Sequence, residues 1–311
     1  MAQLREIKKR MGAVKTIQRI TKTMQMIATA KFTASLARAK NSRAYTDTIR
    51  ALVRQVSAHA GDVSHPLLGS GNRASGRDLV LVVSSDRGLC GAYNGTVLRT
   101  ASKLIHELKG SGRTVQVEVA GRKGFAFFKF QRTEIAARHN VGDKPQFETV
   151  EKIAQSYLER FAAGEFDSVR VVYMRFISNA RQRPEVMQLL PLTLPKGQEG
   201  EAAQGGATSA AQTAAQAAAQ AKAGASQVYE FSPSPRELLD ELLPRSVKVS
   251  LFQTFLDAVV SENVMRMVAM KSATDNAGGL GRTLKRSYNR ARQARITTEL
   301  NEIVSGAAAL S

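Results

Sequence analysis

From Leu4 onward, apolar residues return every three or four positions: Leu4, Ile7, Met11, Val14, Ile17, Ile20, Met24 and Ile27. That spacing lays one narrow stripe along an α-helix. No proline occurs before Pro66, and Gly12 is the only glycine before Gly61, so the pattern predicts one helix over residues 1–60. About fifty helical residues span roughly 75–85 Å at 1.5 Å each. A helix that long needs a partner along its stripe.

The other end of the chain supplies one. No proline follows Pro244, and Leu251, Phe255, Ala258, Met265, Val268, Leu284 and Ala291 recur at roughly helical spacing. SPSP at 232–235 restarts order, with the serine before Arg236-Glu237 as the cap. The second helix is placed over 236–311, with Gly278-Gly279 loosening it at about 1 kcal/mol per glycine. The two terminal helices are expected to pack antiparallel as a coiled coil.

Residues 75–195 follow a different grammar. Strands are predicted at Leu79–Val83, Val115–Gly121 and Ser168–Ile177, with Glu185–Leu192 as an antiparallel edge strand. Helical stretches follow Thr96, Arg122 and Phe147. Alternating strand and helix implies an open, mostly parallel, Rossmann-like α/β domain. Residues 196–227 are mostly Ala, Gln, Gly and Ser without an aromatic, and are expected to form a surface excursion.

Charge adds a partner to this picture. The 45 Lys and Arg outnumber the 26 Asp and Glu for a net +19. The excess is concentrated at the two ends, and the middle is near balance. Basic helices predict an acidic partner: nucleic acid, anionic lipid or an acidic protein surface. No nucleic-acid-binding signature accompanies them. No run of eighteen apolar residues predicts a membrane-spanning helix. The single cysteine, Cys90, excludes an intramolecular disulfide and fits a reducing compartment. The basic, amphipathic N-terminus lacks a cleavage-type break and reads as part of the first helix rather than as a removed targeting segment.

Candidate chemistry is sparse. SSDRGLCG between a strand and a helix suggests either a phosphate-cradling turn or a structural one; Gly88, Gly91 and Gly95 do not make GxGxxG. Cys90 lacks a neighbouring His in sequence, and His59, His65, His106 and His139 lack ligand spacing. Glu299 and Glu302 read as solvated helix charges. The methionines Met24, Met26, Met265, Met267 and Met270 suit core packing or adaptable contacts. No catalytic constellation, cofactor site or metal site is expected.

The C-terminal run ITTELNEIVSGAAA carries the form I-T-x-E-x-x-E-x-x-x-G-A-x-A at Ile296, Thr297, Glu299, Glu302, Gly306, Ala307 and Ala309. It resembles the signature of the gamma subunits of F-type ATP synthases, bacterial type. LREIKKRMGAVKTIQRITKTMQMIATAK, SSDRGLCGAYN and SENVMRMVAMKSATDNA extend the resemblance over both ends and the centre. It implies a rotor shaft that couples ion flow through a membrane c ring to ATP synthesis or hydrolysis at beta subunits, without catalysis of its own. The implied partners are the alpha and beta subunits, the epsilon subunit and the c ring. The implied location is the cytoplasmic face of the bacterial inner membrane, held there only through the complex. By the same resemblance Lys22, Met24, Arg266, Arg292 and Gln293 face the catch regions of beta. Gly306, Ala307, Ala308, Ala309 and Leu310 enter an apolar bearing. Photosynthetic members carry a dithiol insertion where 196–227 lies; without a cysteine it is expected to be a non-redox spacer or steric brake.

Overall fold

The computed structural model describes residues 2–59, 65–68, 75–192 and 234–310. The predicted insertion at 196–227 lies outside them. Five helices and five strands are present among the described residues, and they divide into two compact units.

The smaller unit holds residues 1–33, 89–91 and 263–311. It is built mainly from the start of α1 (Ala2–His59) and the end of α5 (Pro235–Leu310). On α1, half-buried and buried positions include Leu4, Ile7, Met11, Val14, Gln18, Thr21, Gln25, Ala28 and Phe32. On α5 they include Asn263, Met267, Met270, Thr274, Ala277, Gly281, Leu284, Tyr288 and Ala291. Both runs alternate steps of three and four. Thr21 meets Thr274, Gln18 lies beside Gly278, and Val14 lies beside Gly281, so one helix ascends as the other descends.

The predicted stripe therefore holds without a break to Val14 and again at the half-buried Met24, but not at the isoleucines between and beyond. Ile17, Ile20 and Ile27 are about half exposed, at 52%, 51% and 53%, and Val268 on α5 is 56% exposed. Two successive steps of three leave a helix about 120° short of two full turns, which carries Ile17 and Ile20 off the seam. Alternating three and four holds the seam, and it brings the polar Gln18, Thr21 and Gln25 inward instead. α5 continues as a helix through Gly278, Gly279 and Gly281.

The larger unit holds residues 34–88 and 92–262. Its five-stranded sheet has the order β3-β2-β1-β4-β5, with β1 at Arg77–Val83, β2 at Thr114–Ala120, β3 at Ala137–His139, β4 at Ser168–Phe176 and β5 at Gln182–Leu190. β1, β2 and β4 are parallel and β5 is the antiparallel edge, as the sequence predicts, and an unpredicted β3 adds a fourth parallel strand. Strand β3, three residues long, is too short to show a period.

β1 is buried from Asp78 onward, as a central parallel strand covered on both faces must be. Leu79, Leu81 and Val83 join one core with α4 (Phe147–Ala162) and with the parts of α1 and α5 in this unit. α2 (Tyr93–Gly110) contacts four of the strands, and α3 (Arg122–Phe130) follows β2. Ser234 caps α5, its Oγ accepting from the Glu237 N–H at 3.4 Å. The helix then passes through Pro244, which costs about 3 kcal/mol in a helix interior. Leu239, Leu243, Val247 and Leu251 are fully buried around it, at roughly 1.5–3 kcal/mol each, and hold the turn in place.

Candidate functional site

The turn after β1 sits where the strand order reverses, the place where open α/β sheets bind ligands. Its polar groups are spent on the fold. Ser84 Oγ donates to the Ala120 carbonyl at 2.8 Å and accepts from the Gly124 N–H at 2.9 Å. Asn94 Nδ2 donates to Ser85 Oγ at 2.7 Å, and the Arg122 N–H donates to Asp86 Oδ1 at 2.9 Å. Gly121, at φ 96°, lies so close that a Cβ there would stand 2.2 Å from the Ser84 carbonyl oxygen. Phe255, Ala258, Val259 and Glu262 of α5 enter the crevice and leave about 30 Å³, far below what a nucleotide needs. Of the two readings of SSDRGLCG, the structural turn is the one built here. Cys90 is buried in it.

Elsewhere in the larger unit, polar residues form a buried cluster that sequence spacing did not reveal. Glu118 on β2 is 1% exposed. It accepts from Arg160 Nη1 at 2.9 Å and Tyr157 Oη at 2.7 Å, and lies 2.6 Å from His139 Nε2. Burial works to raise the Glu118 carboxyl, but hydrogen bonds from His139, Tyr157 and Arg160 outweigh it and bring it below its ordinary value. Burial, then the Glu118 charge, pushes the Tyr157 phenol well up. The four residues come from three elements, Glu118 from β2, His139 from β3, and Tyr157 and Arg160 from α4, which is why no local motif announces the cluster. Among the described residues no group of three or more His, Cys, Asp or Glu is placed to hold a metal.

The residues singled out by resemblance lie on the helices of the smaller unit, at two levels. Lys22 is exposed and Met24 half-buried, both within a turn of the Thr21–Thr274 contact. Arg266, half-buried, is two turns along α5 from Thr274. Arg292 and Gln293 are exposed and about 27 Å along α5 from Thr274 on the other side. They stand opposite the first turns of α1, where Arg292 shares a cleft with Arg5, Lys8 and Arg295. Arg295 Nε donates to Glu299 at 2.6 Å in the same cleft. The structure thus groups Lys22, Met24 and Arg266 loosely and sets Arg292 and Gln293 apart.

Beyond this cleft α5 stands out from α1. Leu300, Ile303 and Val304 are 57–72% exposed, and Gly306 and Ala307 are exposed on a helix that runs to Leu310. Met26, one of the predicted core methionines, is 58% exposed, whereas Met270 is buried. No helix among the described residues is long and apolar enough to cross a membrane.

The family model described as ATP synthase matches residues 3–310. A Rhodopirellula baltica protein named ATP synthase gamma chain is 40% identical over 311 residues, covering 100% of this chain and 99% of that one. One of the same name from Mannheimia succiniciproducens is 38% identical, with 100% of both covered. In solved structures, a chain of the Euglena gracilis mitochondrial ATP synthase OSCP/F1/c-ring assembly shares the fold at a TM-score of 0.65 and 19% identity, over 99% of this chain and 95% of that one. A chain of the Euglena gracilis rotor matches at 0.61 and 18%, over 95% and 99%. The family model and the relatives agree from end to end: the chain belongs to the gamma-chain family of ATP synthases.

Proposed function

We propose that the chain is the central rotor shaft of an F-type ATP synthase, a non-catalytic subunit that couples ion flow through the c ring to ATP synthesis and hydrolysis at beta. The observation that carries this reading is full-length kinship with gamma chains at up to 40% identity. In this reading the matched three-four seams of α1 and α5 form a left-handed antiparallel coiled coil. Residues 1–60 and 236–311 make the shaft and 75–195 the foot. The shaft stands inside the ring of alpha and beta subunits, and the foot meets the epsilon subunit and the c ring. The complex holds it at the cytoplasmic face of a bacterial inner membrane.

The basic helices then have their acidic partner in beta. Lys22, Met24, Arg266, Arg292 and Gln293 meet its catch regions, and Gly306 to Leu310 turn in an apolar bearing. Exposed ion pairs are each worth roughly 1 kcal/mol or less, which suits contacts that form and break at every step. The nucleic-acid reading gains nothing from the family relationship. Residues 196–227 act as a spacer or brake; deleting 198–226 and finding unchanged activation and inhibition of ATP hydrolysis rejects the brake. Reconstitution of the complex with and without this chain tests the function itself. Failure of the chain to restore ion-coupled ATP synthesis refutes it.

A further inference from the structure

The larger unit contains a cleft that neither the rotor reading nor the packing of the sheet uses. It lies between α1, the end of β5 and the early turns of α5, and its volume is about 480 Å³. The size falls in the range of small-molecule sites, roughly 300–1,000 Å³.

Its lining is divided. Val53, Leu189, Met187 and Leu192 form an apolar wall, with Val53 and Leu189 buried. The hydroxyl-bearing Ser246 and Ser250 of α5 are buried opposite. Arg50 and Arg54 stand on the α1 rim, one helical turn apart, where like charges disfavour each other. Arg50 Nη2 donates to Ser250 Oγ at 3.3 Å, and Arg54 Nε donates to the Arg50 carbonyl at 3.4 Å. These bonds hold both side chains at the cleft, and neither guanidinium has an ion-pair partner among the described residues. Asp47, one turn before, leaves the rim with a single net positive charge.

We propose that this cleft binds a small amphiphilic monoanion, a carboxylate or sulfonate on a short apolar body. The body lies against Val53, Leu189 and Leu192. The anionic head accepts from Arg54 and Arg50, relieving their mutual repulsion. Asp47 selects against a dianion, whose second charge it repels.

The test uses the full chain with methyl-labelled Val and Leu, titrated with octanoate, with octan-1-ol as the body without charge and inorganic phosphate as the charge without body. Octanoate is expected to shift the Val53, Leu189 and Leu192 methyl signals saturably. Octanol is expected to bind about tenfold more weakly, and phosphate to leave the methyls unmoved. Arg54→Gln, which touches no buried group, is expected to weaken octanoate about tenfold with the melting temperature unchanged. Silent methyls at these three residues, equal binding of octanol, or full octanoate affinity in Arg54→Gln each overturn the proposal.

Discussion

Thr274 of α5 donates from its Oγ1 to the Oγ1 of Thr21 on α1 at 2.8 Å, and Thr21 donates onward to the Gln18 carbonyl at 3.1 Å. This chain of hydroxyls occupies the seam between the helices, where Ile20 points outward. Two polar positions have thus taken the place an apolar stripe was expected to hold, and they are satisfied by each other together with the Gln18 and Met270 carbonyls of their own helices.

Removing one partner is therefore worse than removing both. Thr274→Val is expected to cost about 0.5–1.5 kcal/mol by stripping Thr21 of its donor. Thr21→Val with Thr274→Val is expected to restore most of that, because both hydroxyls give way to methyls of the same shape. Denaturant unfolding of the single and double variants measures the coupling. Strictly additive losses refute the link.

Glycines of the two units predict opposite signs. Gly279 has nothing within 4 Å of an added Cβ, and it lies inside a continuous helix. Gly279→Ala is expected to stabilise the chain by about 1 kcal/mol. Gly278→Ala gains less, since the Gln18 amide stands 3.0 Å away and must shift. Gly121→Ala is expected to cost more than about 3 kcal/mol, through collision with the Ser84 backbone and the positive φ. Melting temperatures rank the three; a folded, unaltered Gly121→Ala contradicts the packing described.

Strands β1, β2 and β4, the edge position of β5 and the Ser234 cap were legible because each is written locally: LVLVV for a doubly covered strand, a serine three residues before Glu237. On α5 the predicted Leu284 and Ala291 lie in the seam, and on α1 the seam was continuously legible to Val14. Beyond it, the choice between Ile17 and Gln18 depends on what α5 presents, and α5 presents glycines and Thr274, some 250 residues away in sequence. The Glu118 cluster was illegible for the same reason, because Glu118, His139 and Arg160 meet only after three elements assemble. The contact residues proposed for the shaft come from resemblance to gamma chains, not from spacing.

Glu118 and Asp257 are buried carboxylates with opposite pH signatures. Glu118 sits below its ordinary value of 4.5 in the folded chain. Its stabilisation is fully present above that value and is lost as pH falls through the folded one. Glu118→Gln is expected to cost about 2–4 kcal/mol at neutral pH, leaving Arg160 half-paired, and to flatten the acid limb of the stability curve. Asp257 accepts from Arg43 at 3.0 Å and Gln253 at 2.9 Å, yet burial exceeds their pull and raises it above 3.8. Its contribution is greatest below the unfolded value and is lost as pH rises through the folded one. Asp257→Asn is expected to cost less than about 1 kcal/mol at pH 7. Unfolding curves between acid and neutral pH separate the two; equal slopes in Glu118→Gln and the parent chain reject the assignment.

Arg292 and the C-terminal tip separate attraction from bearing. Arg292 is exposed and shares its cleft with Arg5, Lys8 and Arg295, so a carboxylate placed there gains cationic neighbours, and Arg292→Glu leaves the free chain folded. In the assembly proposed above, the same substitution would meet the acidic partner with the wrong sign. At about 1 kcal/mol per exposed pair, it is expected to lower the ratio of ATP-driven ion pumping to ATP hydrolysis about fivefold. Arg266→Glu acts in the same direction with an added cost in stability, since Arg266 is half-buried. Truncation after Ser305 removes a tip whose Gly306 and Ala307 are exposed. It is expected to reduce turnover by less than about twofold, a bearing contact spread over small side chains being weak at each one. Pumping and hydrolysis measured on the same reconstituted vesicles distinguish the roles. A truncation that uncouples more than Arg292→Glu does would move the decisive contact from the basic cleft to the tip.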